Sequence, residues 1–222
     1  MTATPVPITP ELHAYLLSHS TRPDPVLRDL IEQTARLGEI ARFQIAPEQG
    51  LLLTMLVQSL NARAAVEVGT FTGYSSIAIA RGLAEGGTLV CCDVSEQWTS
   101  LAREAWQRAG VADRIELRLA PALDTLRALP AREYLDFAFV DADKVPYWDY
   151  YSELVVRLRP GGIVAFDNVF RHGDVVDSRR DAHADDPDVA ALHEFNGRLV
   201  ADPRVEVVML PIADGLTLAR KR

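Results

Sequence analysis

Four acidic residues stand at or beside the ends of short apolar runs in this chain of 222 residues: Glu67, Asp93, Asp141 and Asp167. Glu67 opens the stretch Glu67-Val68-Gly69-Thr70-Phe71-Thr72-Gly73, a glycine turn between an apolar run and a helical pattern. Glycine lets backbone approach a ligand, and the N-terminus of the next helix favours polar or anionic groups. The spacing is E-x-G-x-x-x-G, whereas a nicotinamide site calls for G-x-G-x-x-G. Asp93 closes TLVCCD, a place from which a carboxylate can accept both hydroxyls of a ribose. Alone, these would be a glycine turn and a helix cap; together they point to a ligand-binding turn.

A second constellation follows. Asp141 ends LDFAFVD, and Asp167-Asn168 ends GIVAFDN. Two carboxylates and an amide carbonyl suit a hard cation such as Mg²⁺, which keeps positions for water or substrate oxygens. Lys144 lies three residues beyond Asp141, with Tyr147 and Trp148 close behind. A lysine desolvated by aromatic neighbours beside a cation can serve as a base. Each residue also has a plain structural reading: Asp141 as a cap, Asp167-Asn168 as a turn, Lys144 as a surface charge.

The elements that must position these residues are legible from periodicity. The first sixty residues read as helices: one from Pro10 with Thr9 as cap, one from Pro25 to Leu37 with Asp24 as cap, and one opened by Pro47. In the third, Leu51, Leu52, Met55, Leu56 and Leu60 form one apolar stripe, the expected buried face. From Ala64 on, AAVEV, TLVCC, IELRL, LDFAFV and GIVAF alternate with helical segments. That alternation predicts a doubly wound parallel sheet with helices on both faces. Ligands in such a sheet sit outside the carboxyl ends of the strands, which is where the acidic residues fall. The tail differs, because RVEVVMLP and GLTLARK flank Ile212-Ala213-Asp214 and read as a hairpin with an antiparallel strand.

With 23 basic and 31 acidic residues the formal charge is −8, which argues against nucleic acid as a partner. No apolar run approaches the roughly 20 residues of a membrane span, and the N-terminal stretch lacks the basic and apolar regions of a secretory signal. Cys91 and Cys92 are adjacent and point to opposite faces of a strand, so no bridge joins them. A cytoplasmic protein handling a small molecule is the expectation.

The stretches VEVGTFTGYSS, CDVSEQW, FVDADK, RPGGIVAFDNV and LPIADGLTLARKR resemble a known family. It is that of the small cation-dependent, S-adenosylmethionine-using O-methyltransferases, of caffeoyl-CoA O-methyltransferase type and more distantly catechol O-methyltransferase. The resemblance runs from about Asp24 to Arg222. It implies a Rossmann-like α/β fold: a mostly parallel seven-stranded sheet, an antiparallel C-terminal hairpin strand and extra N-terminal helices. All 222 residues would form one domain, with 1–60 covering the site and 61–222 forming the core.

For the site, the resemblance implies that Glu67 and Gly69 line the methionine end of the cofactor and that Ser75 binds its carboxylate. Asp93 would hold the ribose and Ala122 would lie near the adenine. The segment FQIAPEQG, with Phe43 and Ile45, would close over the cofactor. Asp141, Asp167 and Asn168 would bind the cation, Mg²⁺ first and Mn²⁺ or Ca²⁺ as alternatives, with Asp141 also reaching the cofactor. Lys144 would be the general base, the acceptor a small aromatic diol, and the assembly a homodimer. Two departures stand out. Phe43 replaces the family's usual Met, and Arg171 stands near where an aromatic, often Trp, is usual, which raises the prospect of an anionic acceptor.

Other residues read as structural. His172, His183 and His193 lack metal-ligand spacing, Ser76 lacks a G-x-S-x-G elbow, and Arg179-Arg180 belongs to a polar loop running from Arg171 to Pro187. Trp106 reads as packing; Trp98 is either packing or a flank for adenine. The rival functions are a nicotinamide-dependent oxidoreductase, disfavoured by the missing glycine, and a non-catalytic cofactor-binding domain. A nucleic-acid methyltransferase conflicts with the charge and with the lack of an N-P-P-Y-type base-flipping segment.

Overall fold

A computed structural model describes residues 6–176 and 185–222. Its N-terminal segment folds as α1 (Pro10–Ser18), α2 (Pro25–Ala35) and α3 (Pro47–Ser59). Each starts on a proline, whose missing N–H would be unpaired there in any case. Thr9 caps α1 through Leu12 N at 3.2 Å, and Asp24 caps α2 through Val26 N and Leu27 N at 2.8 and 3.1 Å.

The apolar runs become β1 (Ala64–Val68), β2 (Thr88–Asp93), β3 (Ile115–Leu119), β4 (Leu135–Val140) and β5 (Leu158–Asp167), all parallel. They alternate with α4 (Tyr74–Gly82), α5 (Glu96–Ala109), α6 (Ala122–Ala128) and α7 (Tyr147–Val155). α8 (Pro187–Val200) precedes the hairpin of β6 (Val205–Leu210) and β7 (Leu216–Lys221). The strand order is β3-β2-β1-β4-β5-β7-β6, so the last strand inserts antiparallel between β5 and β6. The seven strands, the hairpin and the helices on both faces agree with the sequence reading.

Alternation along the strands divides the interior. Ala65, Cys91, Phe137 and Phe139 face Leu53, Ile77 and Trp106 from α3, α4 and α5. Val66, Val68, Cys92 and Phe166 face Leu126, Tyr151 and Phe195 from α6, α7 and α8. The two cysteines are thus free and on opposite faces. Burying each large side chain contributes about 1.5–3 kcal/mol, more than any single cap, which is typically worth ~1 kcal/mol.

α3 corrects one expectation. Its buried positions are Gln49, Gly50, Leu53 and Val57, while Met55 of the anticipated stripe is exposed. Leucine is nearly continuous here, so periodicity alone cannot select the face. Close packing selects it: a Cβ on Gly50 would lie 2.7 Å from the Tyr74 ring, and one on Gly82 would lie 2.8 Å from Val57 Cβ. No helix among the described residues is long and apolar enough to cross a membrane.

Candidate active site

The winding of the sheet reverses between β1 and β4, the place where such folds leave a crevice. β1 turns Glu67 to the Cys91 face, fully buried. Cys91 Sγ donates to Glu67 Oε2 at 3.2 Å, but Oε1 has no hydrogen-bond partner. Burial pushes this carboxyl up to about 8, against the opposing influence of Ser75, Cys91 and Thr70. A buried polar atom left without a partner costs about 1–3 kcal/mol. Such an oxygen is a socket for a donor or cation that a ligand brings. Ser75, at the start of α4, is buried beside it.

Gly69 and Gly73 have φ of +91° and +90°. A Cβ on Gly69 would lie 2.0 Å from the Asp141 carbonyl oxygen, and one on Gly73 would lie 2.8 Å from Trp106 Nε1. The glycines are therefore demanded by the chain's own packing, a different reason from ligand approach. Asp93 organises the turn. Its Oδ2 accepts from Thr70 N and Phe71 N at 3.0 and 2.9 Å, and its Oδ1 accepts from Ser95 N at 2.8 Å. About four acceptor positions exist on a carboxylate, so one remains for a ligand hydroxyl. Ala122 follows β3 at the first position of α6, joined to this region by Ala120 N donating to Asp93 O at 3.1 Å.

The strand ends beyond β1 carry the second group. Asp141 N donates to Val68 O at 2.8 Å, locking β4 to the turn. Lys144, only 8% exposed, donates to Asp141 Oδ1 at 3.0 Å and to the Tyr147 hydroxyl at 2.8 Å. The Tyr147 hydroxyl in turn donates to the Asp167 carbonyl at 3.0 Å. Burial and the facing Asp141 carboxylate push the Asp167 carboxyl up to about 7, opposed by Asn168 N–H, the Gln49 amide and Lys144. Asn168 N lies 2.8 Å from Asp167 Oδ1, and Asn168 has a left-handed φ of +56°. Among the described residues no three His, Cys, Asp or Glu side chains form a metal cluster. The candidate set is two carboxylates and an amide. Mutual repulsion in a buried carboxylate pair is the electrostatic condition that a hard divalent cation relieves.

A family model for O-methyltransferases matches residues 17–222. The chain belongs to the O-methyltransferase family. It is 35% identical to the caffeoyl-CoA O-methyltransferase of Eucalyptus gunnii over 95% of this chain and 87% of that one. The catechol O-methyltransferase domain-containing protein 1 of mouse is 38% identical, over 95% of this chain and 79% of that one. Among solved structures, the Bacillus cereus O-methyltransferase in complex with SAH superposes with a TM-score of 0.85 at 33% identity, covering 96% of this chain and 97% of that one. TomG of Streptomyces achromogenes, in complex with SAM, gives 0.85 at 31% identity, covering 95% and 96%.

In this methyltransferase the residues singled out by sequence fall into two adjoining groups and a rim. Glu67, Gly69, Ser75 and Asp93 surround the turn; Asp141, Lys144, Asp167 and Asn168 surround the neighbouring strand ends. Phe43 is 57% exposed at the rim, 6.1 Å from the Phe71 ring, which lies 5.8 Å from Trp98. Ile45 is buried against the α3–α4 packing. Trp98 is half-buried against Phe71, whereas Trp106 is buried and donates to Ser76 Oγ at 2.8 Å. Arg171 is engaged by two carboxylates, Asp186 at 3.0 Å and Asp188 at 3.2 Å, so its charge is already answered within the chain. His193 lies 2.9 Å from Val175 O, and His172 N donates to Asp214 Oδ1 at 2.7 Å. His183 and Arg179-Arg180 lie outside the described residues.

Three residues escaped the sequence reading of the site. Gln49 lies beside the Asp167 carboxyl, Cys91 donates to the Glu67 carboxyl, and Phe71 links the two rim aromatics. Gln49 left one signal, a polar side chain beside a glycine in a leucine-rich helix.

Proposed function

We propose that this O-methyltransferase transfers the methyl group of S-adenosylmethionine to one hydroxyl of a small vicinal dihydroxy aromatic of catechol, caffeoyl or flavonoid type. A divalent cation, Mg²⁺ before Mn²⁺ or Ca²⁺, would be held by Asp141, Asp167 and Asn168. The reading is carried by one observation: a partnerless buried carboxyl oxygen on Glu67 adjoins a repelling pair, Asp141 and Asp167, across the β1–β4 crevice. The first suits the ammonium of the cofactor's methionine part, and the second suits a cation.

Bound S-adenosylmethionine supplies a methyl group on a sulfonium, and a bound cation lowers the cost of ionising the acceptor hydroxyl. The chain's residues do the rest. Glu67 holds the methionine ammonium, Ser75 its carboxylate and Asp93 the ribose through its remaining acceptor position. Ala122 borders the adenine, and Phe43 and Ile45 lie in the segment that closes over the cofactor. Lys144 Nζ, held by Asp141 and Tyr147, is placed to take the acceptor's proton. Orienting the acceptor against the bound cofactor would supply up to about 7–11 kcal/mol. Methyl transfer would diminish the sulfonium charge, so Glu67 would serve to position the cofactor rather than to accelerate transfer.

We read all 222 residues as one domain in the cytoplasm, with 1–60 covering the site; the buried Thr34–Thr72 hydroxyl bond of 2.9 Å ties that segment to the turn. A homodimer accords with α1, which has no buried residue and exposes Tyr15 and Leu17. Mass spectrometry of catechol, caffeate, caffeoyl-CoA and a flavonoid diol, each with Mg²⁺ or chelator, tests the function. Methylation of at least one diol only with Mg²⁺ is expected. No methylation of any of them, or equal methylation in chelator, overturns the reading.

A further inference from the structure

Gln49 is a fully buried polar side chain near the site that the reaction above leaves without work. It is 0% exposed, and neither amide atom has a hydrogen-bond partner. It nevertheless lies close enough to the Asp167 carboxyl to influence it. The residue is not adrift. The next position, Gly50, packs so tightly on Tyr74 that a Cβ would come within 2.7 Å of the ring, which fixes this part of α3. A primary amide offers two N–H donors and one carbonyl. Leaving both ends unmet in the interior costs about 1–3 kcal/mol for each group. An apolar residue of similar shape would avoid that cost at this buried position, as Leu53 does one turn later.

We propose that Gln49 is a positioning residue for the Asp141–Asp167 site. Its Nε2–H orients the Asp167 carboxylate, and its Oε1 accepts an O–H, from water or an acceptor hydroxyl, that arrives with the bound cation. An ionised carboxylate only accepts, so the amide nitrogen must be the end that faces Asp167. The carbonyl is then left for a donor, and O–H groups are the donors that a hard cation brings. The inference rests on the cation reading above and adds to it a part for the N-terminal helical segment. Such outer partners of metal ligands typically alter metal affinity by about 10–100-fold when removed.

The test uses Mn²⁺ as probe, with titration calorimetry on the full chain in the absence of cofactor and acceptor. Gln49→Met should bind Mn²⁺ about tenfold more weakly than wild type, with an unchanged dissociation constant for S-adenosylmethionine and an undiminished melting temperature. Gln49→Glu, which brings a third carboxylate, should bind Mn²⁺ more tightly than wild type, and this opposite sign is one that a purely structural residue would not give. With saturating cofactor, Gln49→Met should raise KM for catechol if the acceptor supplies the O–H; an unchanged KM with weakened Mn²⁺ binding assigns the donor to water. Unchanged Mn²⁺ affinity in both variants, or a loss confined to S-adenosylmethionine binding, overturns the proposal. A wild-type chain that binds no Mn²⁺ overturns the cation reading itself, and this inference with it.

Discussion

The carbonyl oxygen of Asp141 occupies the space that a side chain on Gly69 would need, at 2.0 Å from an ideal Cβ. The turn after β1 and the end of β4 are thus one rigid unit, joined also by Asp141 N to Val68 O at 2.8 Å. Gly69→Ala adds a left-handed backbone penalty of about 1–2 kcal/mol to a clash with backbone that has nowhere to move. At roughly 2–4 °C per kcal/mol for a chain of this size, the melting temperature should fall by at least about 5 °C. Cofactor and Mn²⁺ binding should weaken together. Scanning fluorimetry and calorimetry check this, and loss of only one binding function would show that the two halves of the site are independent.

Glu67 gives a pH signature. Its carboxyl titrates near 4.5 when unfolded and is raised to about 8 in the folded chain. The folded state therefore holds this proton more tightly, and the associated stability is complete below about 4.5 and is lost as pH rises through about 8. The unliganded wild type should lose melting temperature across that window, and Glu67→Gln should flatten the loss. S-adenosylmethionine should reverse part of it, because an ammonium favours the carboxylate, and its binding at pH 7 should release protons. Calorimetry in two buffers of different ionisation enthalpy reads that release.

Tyr147 joins Lys144 to the end of β5. Tyr147→Phe removes the acceptor of one Lys144 hydrogen bond and the donor to the Asp167 carbonyl, a loss of about 1–3 kcal/mol. The expected kinetic result is a fall in kcat of about tenfold, with cofactor affinity intact. Lys144→Ala should lower kcat by at least about a hundredfold with cofactor affinity intact, and a kcat equal to wild type would remove the lysine from proton transfer.

Arg171 is held by Asp186 and Asp188, so it should not select an anionic acceptor in the wild type. Arg171→Leu should leave the ratio of kcat/KM for caffeate and catechol within about fivefold of wild type, because both carboxylates that answer its charge belong to the chain itself. Asp186→Asn combined with Asp188→Asn frees the guanidinium and should lower KM for caffeate relative to catechol. Asparagine remains a competent cap for α8 at position 186.

Much of this arrangement was legible because it rests on local rules. Short apolar runs alternating with helical segments, prolines at helix starts and acidic residues at strand ends point to one crevice for Glu67, Asp93, Asp141 and Asp167. What escaped depends on packing between distant segments. The face that α3 buries follows from Gly50 meeting Tyr74 and Gly82 meeting Val57, contacts that a leucine-rich helix does not advertise. Gln49 was hidden for the same reason. The role of Gly69 was also inverted: glycine at a turn reads as space for a ligand, whereas its neighbour is the chain's own carbonyl. The insertion of β7 between β5 and β6 is a long-range pairing that a hairpin signal leaves open. Arg171 looked available because Asp186 and Asp188 are remote in sequence yet adjacent in space.

The central claim is that methyl transfer runs at the Asp141–Asp167 strand ends with a divalent cation. The most direct measurement follows transfer of a trideuteromethyl group from labelled S-adenosylmethionine to catechol by mass spectrometry. It compares wild type with Mg²⁺, wild type in chelator, and Asp141→Ala with Mg²⁺, with cofactor affinity measured in parallel. The account predicts labelled product in the first case only, a loss of at least about a hundredfold in the other two, and cofactor binding by Asp141→Ala that is weakened far less than turnover. Transfer at the full rate in chelator, or by Asp141→Ala, would contradict it.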